Sequence, residues 1–246
     1  MPARGTRANT ASWCATRASG VAALTHPSPN FGERKAGAQP SIIVIHYTAM
    51  TDAQAARRAL SNPDTEVSAH YLIAPDGDVM SLVAEEHRAW HAGAGRWGQV
   101  VDVNSHSIGI ELSNDGFSPF SSRLMDALEV LLAGIRDRWA IPAHRVIAHS
   151  DLAPGRKIDP GKRFDWQRLA RLGHAVWPHA QDAAPETFHA HAQAFGYSAD
   201  VDDDTRLQAF RLRFRPWAQG PLDAVDAGLA ADLAARFPVD REGRVS

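Results

Sequence analysis

The sequence predicts an α/β domain, with a central mixed β-sheet flanked by helices, followed by a small all-α unit of three helices. Three observations carry that prediction. Apolar, largely β-branched runs at Ser41–Ile45, Ser107–Leu112 and Arg145–Ala148 read as strands buried on both faces. Segments of helical period lie between them, as in folds that cover a sheet with helices. Beyond Gln181 the strand signals stop and only helical patterns remain.

Element by element, the first strand begins near Ser41 and ends in Ile45-His46-Tyr47-Thr48. A helix follows from Asp52 to Leu60, opened by an acidic residue. Residues 69–74 and 78–83 are two alternating runs joined by Pro75-Asp76-Gly77, the turn chemistry of a β-hairpin. Residues 90–106 are glycine-rich and aperiodic, a long loop of the kind that carries binding residues. A strand at Ser107–Leu112 ends near Glu111, and residues 123–139 form a helix with Leu124, Leu128, Leu131, Leu132 and Ile135 on one face. The short strand 145–148 then feeds a turn-rich loop. After Trp166 and Leu172, a polar connector at 181–185 leads to helices over about 186–195, 203–213 and 223–236, burying Leu207, Phe210, Leu222, Leu229 and Leu233. The expected organisation is a disordered tail (1–25), a larger domain (26–180), a linker (181–185) and a helical unit (186–240).

Composition narrows the function classes. With 246 residues, 44% hydrophobic and 22% charged, the chain can bury a proper core. It lacks the roughly 18 consecutive apolar residues of a membrane span. Arg4, Arg7 and Arg17 precede no continuous apolar segment, so no secretory signal is visible and the cytoplasm is the default expectation, the periplasm or outer membrane the alternative. Cys14 is the single cysteine, a stray residue of the tail, and excludes an internal disulfide framework. Charge is uneven: residues 1–40 hold five Lys/Arg against one acid, and residues 182–246 hold seven Arg against eleven Asp/Glu. Neither pattern is a nucleic-acid footprint.

The chemistry concentrates in Ile147-Ala-His149-Ser-Asp-Leu-Ala-Pro154-Gly155-Arg156-Lys157-Ile-Asp159-Pro160-Gly161. His149 and Asp159 are too far apart to share a helix face, but the two Pro-Gly pairs turn the chain so that one loop can bring both onto one ion. His46, at the end of the first strand, supplies a third ligand. Catalytic zinc sites use three protein ligands and keep a position for water. Two neutral imidazoles and one carboxylate leave the ion net positive, favouring ionisation of that water near neutral pH. Glu111, costly to bury unpaired at the end of an apolar strand, is the candidate general acid–base. Lys157, two residues before Asp159, offers a fixed ammonium for an oxyanion. Arg156 offers a bidentate contact to a substrate carboxylate.

Ile45-His46-Tyr47-Thr48, Ser107-Ile-Gly-Ile-Glu111-Leu112 and Ala148-His149 through Ala153-Pro154-Gly155-Arg156-Lys157, Asp159-Pro160-Gly161 resemble, in order, the motifs of the zinc-dependent N-acetylmuramoyl-L-alanine amidases of the AmpD and AmiD type. The resemblance runs from about Ser28 to Leu172. It implies the amidase/peptidoglycan-recognition fold, Zn2+ on His46, His149 and Asp159, and Glu111 as the proton-transfer residue. It places Tyr47, His70-Tyr71 and Trp90-His91 along the substrate groove, although one of the two imidazoles could instead orient a ligand from behind. The implied reaction is hydrolysis of the amide between N-acetylmuramic acid, or its anhydro form, and the stem-peptide L-alanine. The implied partners are peptidoglycan or a soluble anhydro-muropeptide, the expected state a monomer. Rival readings are a non-catalytic peptidoglycan binder and a zinc hydrolase of another amide. Leu207-Gln-Ala-Phe210 through Phe214-Arg215-Pro216 and Gly220-Pro-Leu-Asp223 resemble the small peptidoglycan-binding module often fused to such amidases. The match departs from that module's usual Asp-Gly and Thr at Gln219-Gly220 and Asp226.

Overall fold

A computed structural model describes residues 25–240; Cys14 and most of the expected disordered tail lie outside the described residues. The elements run β1 (Phe31–Gly32), β2 (Ile42–Tyr47), α1 (Ala53–Leu60), β3 (Tyr71–Ile73), β4 (Val79–Ser81), β5 (Arg88–Ala89), α2 (Val103–His106), β6 (Ser107–Leu112) and α3 (Ser122–Trp139). They continue with β7 (Val146–Ala148), α4 (His149–Leu152), α5 (Trp166–Arg171), α6 (Phe188–Phe195), α7 (Asp203–Phe214) and α8 (Ala224–Arg236). Helix starts follow from local chemistry. Asp52 accepts the Ala55 N–H at the head of α1 (2.7 Å), and Ser121 accepts the Leu124 N–H at the head of α3 (3.2 Å), caps worth about 0.5–2 kcal/mol each.

The main sheet has the order β4-β3-β6-β2-β7 and is parallel except for β4, which pairs antiparallel with β3 as the hairpin predicts. β1 and β5 form a separate two-residue pair, too short to leave a period in the sequence. Two further differences concern the long loop and the ligand loop. Residues 103–106 close the first with one helical turn, and His149 opens a four-residue helix rather than irregular chain.

Strand alternation sorts the core into two layers. Ile43, Ile45, Ile108 and Ile110 pack with Leu124, Leu128, Leu132 and Trp166 from α3 and α5. Ile42, Val44 and Ile147 face the other way and join one cluster with Phe195, Tyr197, Phe210 and Phe214. The C-terminal helices therefore form the second covering layer of the sheet and share its core. The connector at 181–185 runs along α8, where the Ala183 N–H donates to the Ala224 carbonyl (3.2 Å) and Gln181 Nε2 donates to the Gly228 carbonyl (3.3 Å). Among the described residues, no helix is long and apolar enough to cross a membrane.

Candidate metal centre and active-site cleft

Parallel pairing of β2 with β6 sets His46 opposite Glu111, and pairing of β2 with β7 brings the chain to His149 one residue after Ala148. The C-terminal ends of three adjacent strands thus deliver an imidazole, a carboxylate and a second imidazole to one edge of one sheet face. The loop after α4 returns Asp159 to the same point, held by the Ser150 N–H donating to the Asp159 carbonyl (3.0 Å). His46 Nδ1 lies 2.9 Å from His149 Nδ1 and 2.9 Å from Asp159 Oδ2, and His149 Nδ1 lies 3.0 Å from the same oxygen. All three residues are buried.

The hydrogen bonds behind this triad decide what it can hold. The Val103 carbonyl can only accept, so Ser107 Oγ donates to it (2.6 Å) and accepts from His91 Nε2–H (3.1 Å). His91 Nδ1 is then the acceptor for His46 Nε2–H (3.0 Å), which leaves a lone pair on His46 Nδ1. His149 Nε2–H donates to the Ala92 carbonyl (2.9 Å), leaving its Nδ1 likewise a lone pair. Two lone pairs and a carboxylate oxygen face one another across about 3 Å, an arrangement that repels unless a cation sits among them. The donor set fits a divalent metal.

The electrostatics agree. Burial, reinforced by His149, lowers the His46 pKa to about 4, so the ring is neutral and able to ligate. Glu111 is pushed up to about 8, first by burial and then by the charge of Asp159, against the opposing Lys157. Its Oε2 is buried with no hydrogen-bond partner. A carboxyl with no basic side chain on it, beside this triad, is a group able to take up and release a proton rather than half of a structural ion pair.

These groups open onto a cleft of about 540 Å3. Tyr47, Trp90, Arg156 and Lys157 lie in its wall, with Met50, Val67 and Ile158 at an apolar rim. Four of the expected groove residues have partners within the protein, two of them while still lining the cleft. His70 is fully buried, accepting from the Gly109 N–H (2.9 Å) and donating to the His87 carbonyl (3.1 Å), and so cross-links β6 to the 84–88 turn instead of meeting substrate. Tyr71, one residue on, points through the opposite sheet face to the α3 layer, where its hydroxyl donates to Glu85 (2.7 Å). His91 borders the cleft, yet both ring nitrogens are taken by His46 and Ser107. Arg156, in the cleft wall, donates through Nη2 to the carbonyls of Ala92 (2.8 Å) and Ala94 and so ties down the loop before α2.

His91 thus takes the alternative in which one imidazole orients a ligand from behind, whereas Ala92 was not legible beforehand, because its part passes through a backbone carbonyl. Asn104 Oδ1 accepts from the amides of both residues (3.1 and 2.8 Å). Gly109 leaves room for the His91 ring, since a Cβ there would lie 2.6 Å from Cδ2 and Nδ1.

Comparison with known proteins agrees with this geometry. The family model described as N-acetylmuramoyl-L-alanine amidase matches residues 36–162. N-acetylmuramoyl-L-alanine amidase AmiD of Escherichia coli (strain K12) is 36% identical over 234 residues, covering 81% of this chain and 84% of that one. The 1,6-anhydro-N-acetylmuramyl-L-alanine amidase AmpD of the same strain is 31% identical over 169 residues, covering 62% and 92%. In three dimensions, E. coli AmiD in complex with the substrate anhydro-N-acetylmuramic acid-L-Ala-D-gamma-Glu-L-Lys superposes with a TM-score of 0.74 at 30% identity, over 92% of this chain and 95% of that one. AmpDh3 from Pseudomonas aeruginosa, in complex with anhydromuramic pentapeptide, gives 0.74 at 31% identity over 86% and 95%. With a cluster of His46, His149 and Asp159 able to hold a metal, the strand register that sets Glu111 beside it and these matches in hand, the chain belongs to the N-acetylmuramoyl-L-alanine amidase family.

Proposed function

We propose that the chain is a zinc-dependent hydrolase of the amide between the lactyl group of N-acetylmuramic acid, or its 1,6-anhydro form, and the L-alanine of a peptidoglycan stem peptide. The observation that carries this reading is the convergence of His46 Nδ1, His149 Nδ1 and Asp159 Oδ2 within about 3 Å beside the unpartnered Glu111 carboxyl. AmiD and AmpDh3 have been solved with anhydromuramyl peptides, which supports the same substrate class here.

Zinc held by the three residues would polarise the amide carbonyl and raise the acidity of water near it. Glu111 takes the proton of the attacking water as its oxygen bonds to the carbonyl carbon, and then delivers that proton to the departing alanine nitrogen as the C–N bond breaks. Proton transfer of this kind contributes about 10²–10⁴ in rate. The Lys157 ammonium stabilises the negative charge that gathers on the carbonyl oxygen. His91 and the Ala92 carbonyl hold the imidazoles in the tautomers that ligation needs. Tyr47 and Trp90, in the cleft wall, flank the substrate. The products are the muramyl carboxylate and a peptide with a free L-alanine amine.

Incubating the zinc-loaded protein with purified sacculi and, separately, with anhydro-muropeptides, followed by mass spectrometry, tests reaction and substrate together. Stem peptides with a free L-alanine amine are the expected product. Their absence from both incubations would refute the assignment.

A further inference from the structure

The turn that carries His149 is gripped from the C-terminal helices. Asp151, fully buried two residues beyond the ligand, accepts through Oδ2 from the Ala148 N–H (2.9 Å) and from Arg213 Nη1 of α7 (2.6 Å). Its Oδ1 accepts from the Tyr197 hydroxyl that follows α6 (2.5 Å). Arg213 Nη2 donates to the Val146 carbonyl at the start of β7 (3.1 Å), and the guanidinium lies 4.2 Å above the Trp166 ring. One arginine therefore touches both ends of the Val146–Asp151 segment, with His149 between them. A second clasp acts on the loop that orients the imidazoles. Trp97 packs edge-on to Phe195 and Tyr197, and a Cβ at Gly196 would run into the Trp97 ring.

Apolar surface alone would hold two layers together. A buried ion pair pays a desolvation penalty that hydrophobic packing avoids, and its worth is geometric specificity. Here that specificity is spent on the backbone either side of a metal ligand. We propose that Tyr197 and Arg213 are positioning residues of the metal centre, so that the C-terminal helical unit sets the His149 turn rather than serving only as a tether to glycan. The proposal rests on the reading of His46, His149 and Asp159 as a zinc site.

The test uses the full chain and reads zinc affinity by competition with a chromophoric chelator, together with the visible spectrum of the cobalt-substituted protein. Tyr197→Phe removes one oxygen, and Arg213→Lys keeps the charge while losing the forked contact. Leu233→Ala, on α8 in the same cluster, is the control for general loosening of the helical unit. Each positioning variant is expected to weaken zinc binding by about tenfold and to alter the cobalt spectrum, while the control lowers Tm by at least as much and keeps zinc affinity within about twofold of wild type. Wild-type affinity and spectrum in both Tyr197→Phe and Arg213→Lys would overturn the proposal, as would losses no greater than that of Leu233→Ala. If Arg213→Lys does not fold, Tyr197→Phe alone decides. Wild-type protein that binds no zinc would instead overturn the metal reading itself.

Discussion

Gly109→Ala probes the support behind His46 with a single methyl group. The new Cβ would lie 2.6 Å from Cδ2 and Nδ1 of His91, against an ordinary contact of about 3.5 Å or more, so the ring must retreat by roughly 1 Å. It has little room, being 5.1 Å centroid to centroid from His46, 5.8 Å from His70 and bonded to Ser107. Overpacking of this kind costs about 1–3 kcal/mol, and for a chain of this size each kcal/mol moves Tm by about 2–4 °C. A drop of roughly 2–12 °C is expected in thermal melts of the metal-free protein. The same retreat stretches the 3.0 Å bond from His46 Nε2, and loss of such a partner lowers metal affinity by about 10–100-fold. The sharper readout is a double-mutant cycle with His91→Ala. Because the clash needs the ring, Gly109→Ala should destabilise the His91→Ala background by much less than the wild type. Additive losses of stability, or unchanged zinc affinity in Gly109→Ala, would refute the account of His91 as the residue that orients His46.

Replacing His46, His149 or Asp159 with Ala should each lower bound zinc from near one per chain, measured by elemental analysis after dialysis; full occupancy in all three would remove the metal assignment. Glu111→Gln should keep its zinc and lose about 10²–10⁴ in kcat on a muropeptide, and near-normal turnover would return Glu111 to a structural role. Glu111 also predicts a pH signature in the metal-free protein. Its folded pKa of about 8 lies above the ordinary 4.5, so the folded state holds the proton more tightly, and this stability is present below about pH 4.5 and lost as pH rises through 8. Melts with a chelator present should therefore show the wild type losing stability relative to Glu111→Gln between about pH 5 and about pH 9, and parallel curves would contradict the burial argument. Lys157→Met should lower kcat more than it raises KM, since the charge acts on the oxyanion; a change confined to KM would assign Lys157 to substrate binding instead.

How far the sequence reached can be seen residue by residue. The strands at Ser41–Ile45, Ser107–Leu112 and Arg145–Ala148 were legible because burial on both faces leaves continuous β-branched runs, α1 from the acidic residue that opens it, and α3 and the three C-terminal helices because their apolar positions repeat at helical spacing. The grouping of His46, His149 and Asp159, a cluster able to hold a metal, was legible for a related reason. His46 and His149 sit at strand ends, and the Pro-Gly turns around Asp159 constrain where its loop can go. The pairs β1 and β5 and the turn α4 were not, being too short to carry a period.

By itself the sequence determined the longer strands and helices, the candidate ligands and the family, since each of these depends on residue type and local spacing. Tertiary structure alone decided which side chains of adjacent residues share a face. His70 and Tyr71 are neighbours in the chain, yet strand alternation sends one into a buried cross-link and the other through the sheet to Glu85. It also decided that His91 works from behind His46, because the polarity of that contact is set by a carbonyl at Val103 and a hydroxyl at Ser107 that are remote from His46 in sequence. The C-terminal helices read as a separate unit for the same physical reason. Periodicity reports that a helix has an apolar face, but only the assembled sheet, with Ile42, Val44 and Ile147 on its second side, determines what that face is buried against.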